Sequence, residues 1–313
     1  MTAPHWARLG ESTFVLGIWM LYGVHRVFGR GPFRLLLYPV VFAYWLLRGT
    51  ARRASLEYLR QLQQAHAVFA ATPGWRESLR HFFLFGETLL DKLLAVGGRY
   101  PRSRVEFRGH EAILAALRAG QGGVIVTAHL GCLELMQTVA TQREGLRLTV
   151  LVHTAHAERF NRVLTRIDPA AGVRLLQVES FSPALAMLLA DRVAAGEYLA
   201  IAGDRIPVRG GRLVSTSFLG RRAAFPTGPY LVASLLGCPV YALACLHHGD
   251  GYRASIERLS ERVVLPRASR TEALTNEAAR FANWVEARLR ESPFDWFNFF
   301  PFWDQAPHAL PNE

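Results

Sequence analysis

A histidine and an acidic residue five positions apart are the residues in this chain best suited to chemistry. His129 and Glu134 lie in residues 122–137, which read Gly-Gly-Val-Ile-Val-Thr-Ala-His-Leu-Gly-Cys-Leu-Glu-Leu-Met-Gln. Residues 124–127 are expected to form a buried strand, which turns through residues 128–131 into a helix. On one continuous helix the two side chains would lie roughly 140° apart. They can meet only if His129 precedes the helix, and a histidine oriented by the acid can then act as a general base.

Other functions of these residues have less support from the sequence. A lone histidine near an apolar strand is commonly structural, but the His-x4-acid spacing and a second motif downstream favour catalysis. Cys132 could act as a nucleophile with His129 and Glu134, although its place three residues from His129 makes alignment awkward. A metal site at the same pair lacks a third ligand. His247 and His248 are adjacent on a predicted strand and point to opposite faces, so they are poor co-ligands.

The composition indicates a folded protein that meets anionic partners. Half of the 313 residues are apolar and 19% are charged, which does not suggest disorder. The net charge of +11 comes almost wholly from arginine, because Lys92 is the only lysine. An anionic membrane or an acidic protein that delivers substrate fits this charge; nucleic acid ranks last, because no zinc-finger spacing is visible. The three cysteines form no disulfide or CxxC pattern, which suggests a reducing compartment.

The N-terminal stretch predicts a membrane-associated segment. Apolar runs cover residues 14–24 and 35–47, and each is shorter than the roughly 20 residues of a straight bilayer span. Within residues 1–53, Glu11 is the only acid, and the arginines there are Arg8, Arg26, Arg30, Arg34, Arg48, Arg52 and Arg53. Arginines with interleaved aromatics favour an amphipathic or re-entrant anchor at an anionic membrane face. The alternatives are a pair of core helices and an oblique single span.

Strand and helix patterns alternate after Val105, which predicts an α/β fold. It has a mainly parallel central sheet flanked by helices on both faces, and an N-terminal membrane-associated helical segment. The expected domains are a membrane-associated segment (1–53), a helical cap (54–100) and an α/β domain (101–313). The predicted strands are 104–107, 123–127, 147–153, 173–178, 198–202, 213–218, 239–247 and 252–259. The predicted helices are 110–119, 131–142, 156–167, 182–195, 227–237 and 271–291.

A second cluster of candidate residues lies in residues 203–229. Asp204 and Arg205 follow the predicted strand 198–202, so they project from the same sheet edge as His129. Five arginines there, Arg205, Arg209, Arg212, Arg221 and Arg222, suggest a clamp for phosphate or another anion. Thr227 and Gly228 begin the next predicted helix and offer backbone N–H groups to an anion or oxyanion. The alternative is a solvated basic loop.

The chain closes with an aromatic segment, residues 294–303, which reads Phe-Asp-Trp-Phe-Asn-Phe-Phe-Pro-Phe-Trp. Such a density of aromatic side chains rarely lies bare in water. The segment could line a tunnel for an acyl chain, enter a layer of lipid headgroups, or dock back onto the sheet or the N-terminal helices.

With these motifs together, the chain resembles the lauroyl/myristoyl acyltransferases of lipid A biosynthesis, within the lysophospholipid acyltransferase superfamily. The resemblance covers roughly residues 10–265. Its motifs are His-x4-Glu at 129–134, an aspartate after the strand (Asp204), Phe-Leu-Gly at 218–220, Phe-Pro-Thr-Gly-Pro at 225–229 and Gly-Cys-Pro-Val at 237–240. The aromatic ending departs from the His-Arg-Arg ending common in lipid A enzymes. It is closer to members that accompany polyene-lipid or amino-acid-lipid pathways.

The resemblance implies transfer of a fatty acyl chain from an acyl-carrier-protein or CoA thioester to a hydroxyl (or amine) of a lipid. His129 would take the acceptor's proton, and Glu134 would orient the imidazole. Asp204, Arg205, Arg209, Thr227 and Gly228 would bind substrate or the oxyanion. No metal or cofactor is expected beyond the thioester donor. The implied location is the cytoplasmic face of a bacterial inner membrane. A non-catalytic membrane-docked module that binds lipid or carrier protein is the alternative.

Overall fold

Seven strands form the central sheet of the computed structural model, which describes residues 14–136, 145–152, 174–177, 182–206 and 211–305. The strands are β1 (Val105–Arg108), β2 (Gly123–Gly131), β3 (Leu148–Val152), β4 (Arg174–Gln177), β5 (Tyr198–Ala202), β8 (Val240–His248) and β9 (Gly251–Ser260). Their order across the sheet is β1-β9-β8-β2-β5-β3-β4. All neighbouring pairs are parallel except β8 and β9, so the predicted mainly parallel sheet is confirmed.

Helices cover both faces of this sheet, as predicted. Along β2, Val124 and Val126 are buried with residues of the C-terminal helix, whereas Ile125 between them is buried with residues of the N-terminal helices. This alternation is the two-residue period of a strand that is covered on both sides. The helices are α1 (Phe14–Phe28), α2 (Arg30–Leu47), α3 (Gly49–His66), α4 (Trp75–Val96), α5 (Glu111–Arg118), α6 (Pro183–Ala194), α7 (Gly228–Leu236) and α8 (Arg270–Glu291).

The two N-terminal apolar runs form α1 and α2, and α2 continues through Pro39. Four residues at a spacing of four, Phe33, Leu37, Val41 and Trp45, are the buried face of α2. This face meets α4 at Gly86, where an added Cβ would lie only 3.1 Å from Leu37. Among the described residues, no helix is long and apolar enough to cross a membrane.

The strand that carries His129 is longer than predicted. We expected β2 to end at Thr127 and the chain to turn through residues 128–131, and this was wrong, because β2 continues to Gly131. Pairing with β8 becomes irregular between Thr127 and Gly131. Gly131 adopts a φ of 58°, and a Cβ there would lie 2.0 Å from the carbonyl oxygen of Cys245. Only glycine fits this close approach.

One further difference concerns residues outside the central sheet, and two of the predicted helices cannot be compared in full. A strand that we did not predict, β7 (Arg221–Pro226), pairs antiparallel with β6 (Leu213–Phe218) in a separate two-stranded sheet. The predicted helix at 156–167 and the end of the one at 131–142 lie outside the described residues.

The aromatic segment 294–303 docks onto the edge of the sheet beside His129, which confirms one of the three alternatives. Trp296 is fully buried and forms a β-bridge with Leu130. The backbone N–H of Phe297 donates to the carbonyl of His129 at 3.0 Å, and that of Gly131 donates to the carbonyl of Asp295 at 2.8 Å. The segment therefore fixes the end of β2 through its backbone. Contact with an acyl chain stays a prediction.

Candidate active site

His129 and Asp204 meet at the carboxyl edge of the sheet. Strands β2 and β5 run parallel, with Thr127 opposite Ala202, so the residues that follow them project from one edge. His129 Nδ1 lies 2.8 Å from Asp204 Oδ1, and the backbone N–H of His129 donates to Asp204 Oδ2 at 2.8 Å. One carboxylate therefore holds both the main chain and the side chain of the histidine.

Asp204 is held as an anion. It is buried, and the indole Nε1 of Trp296 donates to its Oδ2 at 3.0 Å. Although burial alone would raise the pKa of Asp204, the His129 imidazole and its hydrogen bonds lower it to about 2. An ionised carboxylate can only accept, so Nδ1 of His129 carries the proton. Nε2 then has a lone pair with which to take a proton from a substrate.

His129 is poised in its neutral form. Burial lowers the pKa of His129, and the positive charge of Arg205 lowers it further, against the opposing effect of Asp204. The side chain nevertheless keeps 37% of its surface exposed. A neutral imidazole with access from outside, oriented by a carboxylate, is the arrangement that general-base catalysis requires.

The acidic residue of the His-x4-Glu motif is bound to a lysine. Glu134 Oε1 lies 2.9 Å from Nζ of Lys92, which belongs to α4. Burial lowers the pKa of Lys92, but the adjacent Glu134 more than offsets this and the pKa is raised, so the ammonium stays charged. Asp204, which we predicted to bind substrate, therefore bonds Nδ1 of His129. We had expected Glu134 to orient this imidazole.

The predicted anion-binding residues have separate surroundings. Arg205 follows Asp204 and stacks over the ring of Phe300, with its guanidinium carbon 5.6 Å from the ring centre. Arg209 lies outside the described residues. The backbone N–H and the hydroxyl of Thr227 both donate to the carbonyl of Arg212, at 3.0 and 2.9 Å. Gly228 begins α7 with open space beside its Cα. Their roles in binding stay predictions.

Cys132 is poorly suited to nucleophilic attack. Its side chain is fully buried, and its Sγ lies 3.9 Å from Glu134 Oε2. Burial and the nearby Glu134 carboxylate raise the pKa of this thiol well above its usual value. Since the thiolate is the nucleophilic form, the environment opposes the Cys-His-acid alternative.

A second histidine–carboxylate pair, which the sequence analysis missed, lies on the neighbouring strand β8. His247 Nδ1 is 2.6 Å from Asp295 Oδ1, and the backbone N–H of His247 donates to Asp295 Oδ2 at 2.7 Å. The geometry repeats that of His129 and Asp204. The His247 side chain is 22% exposed and its ring lies 4.2 Å from that of Tyr252. The two members are 48 residues apart with no motif between them, so only the docked aromatic segment could have revealed the pair.

The fold is a mainly parallel sheet covered by helices, and a histidine at the carboxyl edge of this sheet is oriented by a carboxylate. Both features agree with the result of sequence comparison. The chain belongs to the bacterial lipid A biosynthesis acyltransferase family, whose profile matches residues 94–305. The resemblance drawn from the motifs is thereby confirmed: the family that the profile describes is one of acyltransferases.

Particular relatives are two phosphatidylinositol mannoside acyltransferases. The chain is 24% identical over 189 residues to that of Mycolicibacterium smegmatis, a match that covers 60% of this chain and 59% of the relative. It is 25% identical over 195 residues to that of Mycobacterium tuberculosis, with 62% and 58% covered. The chain therefore spans just under three-fifths of the length of these relatives.

Proposed function

We propose that this chain moves a fatty acyl group from an acyl-carrier-protein or CoA thioester to a hydroxyl (or amine) of a membrane lipid, with His129 as general base. One observation carries the proposal: Nδ1 of His129 bonds an ionised, buried Asp204, which leaves Nε2 as the proton acceptor. The relatives' names specify a phosphatidylinositol mannoside. A mannoside presents sugar hydroxyls, which supports a hydroxyl-bearing lipid as the acceptor.

The proposed reaction proceeds in two steps. Nε2 of His129 removes the proton of the acceptor hydroxyl while its oxygen forms a bond to the thioester carbonyl carbon. Asp204 stabilises the imidazolium that results, as the acid does in a Ser-His-Asp triad. The tetrahedral intermediate then collapses, the C–S bond breaks, and the imidazolium returns its proton to the leaving sulfur. The products are an acylated lipid and a free thiol.

The positive charges around His129 suit the anionic parts of such substrates. Arg205 and Lys92 both act electrostatically on the imidazole. In this proposal Arg205 pairs with a phosphate of the donor or acceptor, because a guanidinium forms forked bonds with phosphate oxygens. Glu134 keeps Lys92 in place through their ion pair. The negative charge that develops on the thioester oxygen then lies in the positive field of Arg205 and Lys92.

An acyl-transfer assay tests this function. The purified chain is incubated with radiolabelled acyl donors, either acyl-carrier-protein or acyl-CoA, and with lipids extracted from bacterial membranes. We expect the label to enter a lipid fraction with stoichiometric release of thiol, and the preferred donor identifies the carrier. Binding of donor or lipid without transfer from either thioester would contradict the proposal and support a non-catalytic binding module.

We further propose that α1 and α2 attach the protein to the cytoplasmic face of the inner membrane. Both helices expose large apolar side chains, and the arginines around the end of α2 add positive charge. Arg52 stacks on Trp45 and donates to the last carbonyls of α2. An apolar surface bordered by arginines suits the interface of an anionic bilayer. The exposed side chains are Met20, Val27, Phe28, Leu35, Leu36, Tyr38, Val40, Phe42, Tyr44, Leu46 and Leu47.

Charges placed on this surface should weaken membrane binding. Leu35 and Leu47 are 73% and 80% exposed. We expect the Leu35→Glu, Leu47→Glu variant to bind vesicles of phosphatidylglycerol and phosphatidylcholine at least about tenfold more weakly, because burial of each leucine contributes about 1.5–3 kcal/mol. Co-sedimentation at low and high salt measures this.

The matched control carries the same charges on exposed apolar residues elsewhere. Met187 on α6 and Leu235 on α7 are 69% and 60% exposed. The Met187→Glu, Leu235→Glu variant should bind the vesicles as the unmodified chain does. Equal losses in both variants would show that net charge, and not the α1–α2 surface, determines binding.

A further inference from the structure

The Asp204 carboxylate has a hydrogen-bond donor from a distant part of the chain. Two of its donors, the backbone N–H and Nδ1 of His129, belong to the residue that it orients. The third is the indole N–H of Trp296, 92 residues away. Oδ2 therefore accepts from both Trp296 and the backbone, while Oδ1 accepts from the imidazole. The indole thus opposes rotation of the carboxylate about its Cβ–Cγ bond.

Trp296 is itself held on several sides. Its carbonyl accepts a hydrogen bond from Nε2 of His81 at 2.9 Å. Its ring packs edge-on against Tyr58 and Phe218, with ring centres 5.0 and 5.3 Å away. The indole is fully buried, so its direction is set by packing and not by solvent.

The bond from His81 continues as a chain of hydrogen bonds into the N-terminal helices. Burial lowers the pKa of His81 to about 4, so the ring is neutral. Because Nε2 donates to Trp296, Nδ1 must accept, and its partner is Ser55 Oγ at 3.0 Å. Ser78 donates to Ser55, and Trp45 Nε1 donates to Ser78, each at 3.0 Å. Each link has one consistent donor and acceptor.

We propose that Trp296 is a positioning residue for acyl transfer, because its indole N–H fixes the carboxylate of Asp204, which in turn holds His129 with Nε2 toward the acceptor. The inference rests on the proposed function, but the hydrogen bond can be measured without it. It also gives the aromatic segment a role besides packing: residue 296 supports the pair at His129, while its neighbour Asp295 binds His247.

The test compares Trp296→Phe with Trp303→Phe. Trp303 belongs to the same aromatic cluster and is buried, but its indole N–H points to the carbonyl of Phe218 at 3.4 Å. For Trp296→Phe we expect kcat to fall about tenfold or more, since a hydrogen bond to a charged group is lost, with KM within about twofold.

The acid limb of the pH–rate profile should move to higher pH in Trp296→Phe, because a carboxylate with one donor fewer attracts the imidazole proton more strongly. Trp303→Phe should match the unmodified chain in each respect.

A spectroscopic readout separates this inference from the proposed function. The proton between Nδ1 of His129 and Asp204 should give a low-field NMR resonance, assigned by its loss in His129→Gln. We expect Trp296→Phe to shift or broaden that resonance and Trp303→Phe to leave it unchanged, whether or not acyl transfer is detected. An unaltered resonance together with an unaltered kcat in Trp296→Phe would overturn the inference. Equal changes in both variants would do the same, because they would indicate packing alone.

A second substitution covers the case in which Trp296→Phe does not fold. β-(3-benzothienyl)alanine at position 296 keeps the bicyclic shape and replaces the N–H by sulfur. We expect the same shift of the resonance and the same fall in kcat with this residue. A variant that matches the unmodified chain in both would show that the indole N–H has no positioning role.

Discussion

Replacing His129 with Gln is expected to lower kcat/KM for acyl transfer by about 10²–10⁴-fold, the usual contribution of a general base. The same replacement at His247 should leave kcat/KM within a few-fold. Both histidines bond a buried aspartate through Nδ1 and through the backbone N–H. They differ in that Arg205 and Lys92 act on His129, whose side chain is also the more exposed.

This pair of variants controls for the structural cost of removing a histidine that bonds a buried aspartate. Each change leaves an aspartate without its imidazole partner, so we expect both to lower the melting temperature by similar amounts. A loss of activity shared by both would therefore report on folding. If His247→Gln alone abolished transfer while His129→Gln remained active, the assignment of the base would be wrong.

The pH dependence of the unmodified chain follows from the same assignment. A general base acts in its deprotonated form, so the rate should fall as the pH falls through the pKa of His129. Because burial and Arg205 lower that pKa from its usual value of 6.5, the acid limb should lie below pH 6.5. The residual rate of His129→Gln should lack this limb. A limb of the unmodified chain above pH 6.5 would contradict the environment that the structure gives the imidazole.

Most of the fold was predictable, because hydrophobic periodicity is a local property. Apolar runs bounded by glycines, and the alternation of strand and helix patterns, predicted the strands of the central sheet close to their observed positions. One example is β5 at residues 198–202. The strand β7 was missed because it opens with Arg221 and Arg222 and ends at Pro226, which together conceal its buried residues. Its own sequence does not indicate a strand, but its antiparallel pairing with β6 makes it one.

The residues of the candidate site could be predicted from the sequence, but the carboxylate that pairs with His129 could not. Parallel strands bring their carboxyl ends to one edge, so His129 and Asp204 could be placed together. Which carboxylate reaches Nδ1 depends on where β2 ends. Its continuation to Gly131, which is stabilised by Asp295 and Phe297, keeps His129 in the strand beside β5. Those contacts join residues more than 160 positions apart, and no local pattern encodes them.

Replacing Asp204 with Asn should be almost as damaging as loss of His129. An amide at this position can offer its N–H₂ group to Nδ1, which favours the tautomer with the proton on Nε2. That tautomer cannot take a proton from the acceptor. The equivalent change in a serine protease triad lowers kcat by about 10⁴, and we expect an effect of about 10³-fold or more here, measured at saturating donor with the fold verified by circular dichroism.

Glu134→Gln is the matched change at the other candidate acid, and it decides which carboxylate orients the imidazole. Its expected main effect is a lower melting temperature, because Lys92 loses its 2.9 Å ion pair and remains charged in a partly buried position. The low-field resonance of the His129 Nδ1 proton should persist in Glu134→Gln and vanish in Asp204→Asn. Asp204→Asn should also be at least about tenfold less active than Glu134→Gln. The opposite result, with the resonance lost only in Glu134→Gln, would restore Glu134 to the orienting role that the His-x4-Glu spacing predicts. The carboxylate of Asp204 would then serve only to hold the end of β2 against β5.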